Sequence, residues 1–164
     1  LVTVFGPVDT VFCQSRFWRV DGEMDEQPTG EMPYRSCICS AQLRFQDGMI
    51  ADLIYGKGTE IWTTERSLSI QGEMGMIQVT GSDGKLVRAD STEALTIGSR
   101  RGLFAKDSHM VLNHIADGTP MYVTPEQSVY DLQVADAARR SALTQSVLQL
   151  GSSLVESERV NCVD

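Results

Sequence analysis

The sequence predicts an α+β domain of two layers, a mainly antiparallel β-sheet with helices on one face and the other sheet face open. Three observations carry this. Short strand-like segments separated by turn residues fill the first half of the 164-residue chain, and helical periodicity appears only after them. The last long segment, 124–150, opens on Thr124-Pro125-Glu126-Gln127, which reads as a capping box with proline at the first helical position. Hydrophobic and charged contents of 41% and 22% are those of an ordinary globular core.

Taken in order, segment 8–20 carries Val11, Cys13 and Phe17 on one parity and Val8, Phe12 and Trp18 on the other, a long strand covered on much of both faces. Segment 21–33 is acidic, with Gly22, Pro28, Gly30 and Pro33, and is expected to be an exposed loop. Segment 34–46 places Cys37, Cys39, Ala41, Leu43 and Phe45 on one side and Ser36, Gln42 and Arg44 on the other. Asp47-Gly48 predicts a type I′ hairpin into the partner strand 49–55, which ends on Gly56-Lys57-Gly58-Thr59. Strands at 67–71, 76–79 and 85–88 with turns between them form a meander. Segment 106–117 is then a helix with Met110, Val111, His114 and Ile115 as its apolar face, stopped by Gly118 and Pro120. In the final helix Tyr130, Val134, Ala137, Ala138 and Ser141 share one mostly small face, with Arg139 and Arg140 near its end. A short strand at 146–150 follows. Segment 151–164 reads as a tail or a short peripheral helix.

The formal net charge of −8 argues against nucleic-acid binding, because phosphate neutralisation needs a basic face. No apolar run approaches the roughly 20 residues that span a bilayer. The chain opens at Leu1 on a strand-like run without an initiator methionine, which reads as a piece of something longer. Cys37 and Cys39 point to one face of a strand, but Cys13 and Cys162 do not complete a zinc pattern, so no metal is expected. Reduced thiols in a cytoplasmic protein are the expected state.

Few residues suggest chemistry. Gly56-Lys57-Gly58-Thr59 has the residue types of a phosphate loop without its spacing or a following helix, so phosphate binding is not expected there. His109 and His114 stand about 140° apart on one helix, too far around it to share a metal. With no other histidine, no nucleophile–base pair is visible and no catalytic residue is assigned. Arg16, Trp18, Tyr34 and Arg44, with Arg19, bring cationic and aromatic groups onto neighbouring strands. They are the candidate substrate-binding residues, suited to a polar or anionic small molecule.

Several stretches together resemble the C-terminal part of the Gfo/Idh/MocA oxidoreductases, the family typified by glucose-fructose oxidoreductase and inositol dehydrogenase. They are Ile115-Ala116-Asp117-Gly118-Thr119-Pro120, then Thr124-Pro125-Glu126, Ala137-Ala138-Arg139-Arg140-Ser141-Ala142 and Val147-Leu148-Gln149-Leu150. Upstream, Leu68-Ser69-Ile70-Gln71-Gly72-Glu73-Met74-Gly75-Met76-Ile77 is similar to the family's strand-glycine-strand signature. Phe5-Gly6-Pro7-Val8 is similar to the point where the chain leaves an active-site helix for the sheet. The resemblance covers 1–150 and implies a Rossmann domain preceding this one, NAD or NADP in the full-length protein, and a sugar, polyol or related hydroxyl substrate. It also implies a homodimer or tetramer built on the open sheet face. The glycine-rich dinucleotide turn and the family's catalytic lysine and histidine have no counterpart here, so this chain alone is expected to bind no cofactor.

Two readings follow. In the first, the chain is the substrate-binding and oligomerisation domain of an NAD(P)-dependent oxidoreductase. In the second, it is a stand-alone, non-catalytic module that uses its open sheet as a protein or ligand surface. Parity favours an apolar open face, because Phe12, Trp18, Ile38, Ile50 and Ile54 all oppose the side that carries Val11, Leu43 and Leu53.

Overall fold

A computed structural model describes residues 2–20, 24–25, 34–62, 65–98 and 101–151. The chain divides into two compact units, one of Leu1–Trp62 with Tyr122–Asp164 and one of Thr63–Met121.

The first unit is built on strands β1 (Val8–Arg19), β2 (Met24–Asp25), β3 (Tyr34–Phe45) and β4 (Ile50–Gly58), in the order β2-β1-β3-β4. All pairings are antiparallel. A short helix, α1 (Val2–Phe5), leads into β1. Helix α3 (Pro125–Thr144) lies along one face of the sheet, and β9 (Leu148–Gln149) returns to pair with the outer edge of β1 at Thr10 and Val11. The core between helix and sheet is Val8, Val11, Leu43, Phe45, Tyr130, Val134 and Ala137, flanked by Phe5, Met49, Ala51, Leu53, Ala138 and Leu150. The small residues on α3 let its axis lie close to the strands.

The α3 cap forms as its sequence predicts. Thr124 Oγ1 accepts from the Gln127 amide at 3.2 Å, and Gln127 Oε1 accepts from the Thr124 amide at 2.9 Å. Two hydroxyls on the same helix then serve the outer edge of β1. The Tyr130 hydroxyl accepts from Val8 N–H at 2.9 Å and donates to Val8 C=O at 3.2 Å. Ser141 Oγ accepts from Cys13 N–H at 2.9 Å and donates to Ser146 C=O at 2.6 Å. Edge groups of a strand, which would otherwise be buried without partners, are thereby paired.

The β3–β4 hairpin differs from the type I′ turn expected. Gly48 N–H bonds to Phe45 C=O at 3.0 Å and Phe45 N–H to Met49 C=O at 2.8 Å, which encloses three loop residues. Gly48 has φ +91° whereas Asp47 keeps a negative φ, the pattern of a type I turn closed by a glycine bulge. Asp47 uses its side chain instead, accepting from Met49 N–H at 2.9 Å.

The second unit holds a meander of β5 (Ser67–Gly72), β6 (Gly75–Thr80), β7 (Asp83–Arg88) and β8 (Ser91–Thr96), and helix α2 (Leu103–Asp117). The strands therefore distribute over two sheets. Register puts Leu68, Ile70, Ile77, Val79, Leu86 and Leu95 on one face of the meander. β8 was not expected from sequence, since Ser-Thr-Glu-Ala-Leu-Thr has no apolar alternation; its backbone pairing with β7 holds it. Helix α2 starts three residues before the expected position and buries no residue, so the face of Met110, Val111, His114 and Ile115 is not a core face here. The expected loop 21–33 contains β2, and its remainder lies outside the described residues, as does 152–164 of the expected tail, including Cys162.

Candidate functional site

Cross-strand partners share a face, so the register sorts every side chain of the first sheet. The face under α3 carries Val11–Leu43–Ala51, Cys13–Ala41–Leu53, Ser15–Cys39–Tyr55 and Phe17–Cys37–Lys57. The open face carries Thr10–Arg44–Ile50, Phe12–Gln42–Asp52, Gln14–Ser40–Ile54, Arg16–Ile38–Gly56 and Trp18–Ser36–Gly58. The parity expectation for Phe12, Trp18, Ile38, Ile50 and Ile54 therefore holds, whereas Val8, expected on the parity of Phe12 and Trp18, lies in the helix-side core because a register shift between Val8 and Thr10 breaks the alternation. Ile50 and Ile54 are 60% and 78% exposed.

The candidate residues separate. Arg16 and Trp18 are adjacent on the open face beside Ile38 and Ser36, and Arg44 lies on the same face but six strand positions away, about 20 Å at the rise of an extended chain. Tyr34 lies past a register shift between Trp18 and Arg19, and its ring packs on Phe17 at 4.7 Å on the opposite face. Arg19 pairs with Tyr34 beyond the same shift. The structure thus brings two of the four together.

Arg16 also lines a groove of about 360 Å³ with Gln14, Ser15, Ile38, Ser40, Ala142 and Gln145. The outer side of β1 pairs with β9 at Thr10 and Val11 and with β2 at Phe17 and Trp18, and the groove lies along the stretch between them. A cation, two amides and two hydroxyls beside Ile38 can hold a ligand with both an apolar face and a carboxylate or carbonyl.

One end of the open face is shaped by Gly56-Lys57-Gly58, which was expected to follow the strand and instead lies within β4. Gly56 and Gly58 leave space there. A Cβ on Gly56 would lie 3.1 Å from Ile61 Cγ2, so the chain after β4 folds back over the open face. Gly58 has φ +118°, and a Cβ there would collide with the Arg35 carbonyl and the Ser36 side chain. Glu60 fastens this return. Its carboxylate accepts from the buried Ser36 hydroxyl and from Thr59 Oγ1 at 2.8 Å, and it pairs with Arg35. Its own N–H donates to Ser36 Oγ at 3.0 Å. The Ser36 hydroxyl above all holds the Glu60 carboxyl below the usual glutamate range, aided by Thr59 and Arg35. The glycine spacing in Gly56-Lys57-Gly58 was the available signal, and it marks close approach of the chain to itself.

On the helix side, Cys13, Cys37 and Cys39 are free. Burial pushes the Cys13 and Cys39 thiols up, and for Cys39 the neighbouring Cys37 and Cys13 add to this. Among the described residues no group of three His, Cys, Asp or Glu side chains is arranged to hold a metal, and no helix is long and apolar enough to cross a membrane. The described residues contain no parallel β–α–β unit with a glycine-rich first turn, so they do not fit a dinucleotide.

An antiparallel sheet backed by a helix on one face, with Ile50 and Ile54 exposed on the other, defines a two-layer α+β domain. The chain belongs to the Gfo/Idh/MocA oxidoreductases: residues 1–150 match the description "Oxidoreductase family, C-terminal alpha/beta domain". Among solved structures, it is similar to biliverdin reductase from Synechocystis sp. PCC 6803, in complex with biliverdin and NADP+. That match has 37% identity and a TM-score of 0.74 over 85% of this chain and 42% of that one. It also matches the WlbA dehydrogenase from Bordetella pertussis, in complex with NADH and UDP-GlcNAcA, at 18% identity and TM-score 0.57 over 90% of this chain and 40% of that one. Levoglucosan dehydrogenase, in complex with NADH and L-sorbose, matches at 16% identity and TM-score 0.62 over 89% and 45%. The chain spans less than half the length of each of these relatives. No curated protein matches it.

Proposed function

We propose that this chain is the substrate-binding and self-associating part of an NADP(H)-dependent reductase whose substrate is a linear tetrapyrrole of the biliverdin type. The observation that carries the reading is the 37% identity to a biliverdin reductase over 85% of the chain, against 16–18% to the two sugar-acting relatives. It favours a tetrapyrrole over the sugar or polyol that family resemblance alone implies. The open face supports it chemically. A flat conjugated chain with carboxylate arms needs apolar floor and a cation; Trp18 and Ile38 supply the first and Arg16 the second. In such a reduction a hydride adds to a bridging carbon and a proton to a pyrrole nitrogen. The residues here bind and orient the substrate, and the nicotinamide is held by residues other than these. The rest of the open face, from Phe12 to Ile50, is left for a second copy of the chain.

Titration of the chain with biliverdin, followed by absorption and tryptophan fluorescence, tests the reading. Saturable micromolar binding is expected, about tenfold weaker in Arg16→Gln and unchanged in Arg44→Gln, which lies too far along the sheet to share the ligand. Absence of binding, or equal loss in both variants, would overturn it.

A further inference from the structure

We propose that Trp62 is a second aromatic wall of the substrate shelf and that Glu60 is the residue that positions it; this rests on the tetrapyrrole reading above. Trp62 is 95% exposed, an unusual state for the side chain with the largest apolar surface. It does not sit on a free loop. Ile61, the residue before it, lies over Gly56 in the same cross-strand rank as Ile38 and Arg16. Ile61 N–H bonds to Gly58 C=O at 3.3 Å, and Glu60 is tied to Ser36, Thr59 and Arg35. Consecutive Cα atoms stand about 3.8 Å apart, so the Trp62 backbone is held beside the end of the open face where Arg16 and Trp18 lie. Gly56 leaves out the side chain that would press on Ile61 in this return, and Gly58 lets β4 pass close to Arg35 and Ser36 of β3. An exposed indole at the end of a pinned turn has lost its backbone freedom in advance, which lowers the ordering cost of stacking on a flat ligand. Trp18 then forms the floor and Trp62 the end wall, with Arg16 at the edge groove for a carboxylate.

The test is a double-mutant cycle on the chain with biliverdin as probe, read by affinity and by quenching of tryptophan emission. Trp62→Ala should weaken binding roughly threefold to tenfold and remove a quenched component, while Trp62→Tyr should restore most of the affinity. Glu60→Gln should weaken binding to a similar extent, and the double variant should bind no worse than Trp62→Ala alone, because Glu60 acts through the indole. A purely structural role for Glu60 would lower the melting temperature without this coupling. Multiplying effects in the double variant would overturn the positioning role of Glu60. Wild-type binding that survives Trp62→Ala unchanged would overturn the wall while leaving the tetrapyrrole reading intact. Absence of biliverdin binding by the wild-type chain would overturn both.

Discussion

Two hydroxyls eleven residues apart on α3 do much to fix the edge of β1, and each handles two backbone groups. Tyr130 is 3% exposed and Val8 is fully buried, so water cannot replace the phenol. Tyr130→Phe leaves the ring packing and strands both polar groups of Val8. It should cost about 1–3 kcal/mol by urea unfolding, and a loss under about 0.5 kcal/mol would show that Val8 finds other partners. Glu60 gives a pH-dependent counterpart. Its folded carboxyl is depressed, so its stabilisation is present above the unfolded glutamate value of about 4.5 and is lost as pH falls through the lower folded value. The melting temperature should drop on acidification below about pH 4.5, and Glu60→Gln should flatten part of that drop. Asp117, depressed mainly by the Thr119 hydroxyl, titrates with the same sign and keeps its share in the variant.

At the scale of the element, α3 and α2 contrast. Helix α3 has a complete capping box, proline in its first turn and four buried residues, so cap and packing act together. Thr124→Ala removes the side-chain acceptor of the Gln127 amide and should destabilise by about 1 kcal/mol, read from thermal melts by circular dichroism. An unchanged melt would mean that the first turn frays without consequence. Helix α2 has glycine in the left-handed conformation at both ends, no side-chain N-cap bond and no buried residue. Its 15 residues stand near the length at which helices in water are marginal.

For the whole molecule, the open sheet face is the feature to explain. Ile50 and Ile54 stand exposed on β4, with Gln42 donating to Asp52 at 2.9 Å between them. Large apolar side chains left exposed around a polar pair on one sheet face favour a partner, and a twofold contact pairs the same patch with itself. Light scattering at tens of micromolar should give a dimer or tetramer mass, with Ile54→Lys shifting it toward the monomer mass of 18.0 kDa. A monomer in the wild type would leave the face to ligand alone.

The sequence by itself determined the α+β class, the capped helix, strands β1, β3, β4 and β9, and the parities of β1, β3 and β4 between the register shifts at Val8 and Arg19. Each of these is local: period 2, period 3.6 and capping chemistry are written in neighbouring residues. Only the tertiary structure decided the rest. Tyr34 left the candidate site because a register shift broke the alternation from which its face was counted. Gly56 and Gly58 became the seat of a returning turn because Ile61 and Glu60 find their partners across the sheet. The strands divided between two sheets because hydrogen-bond partners are chosen between segments far apart in sequence, which no local pattern records.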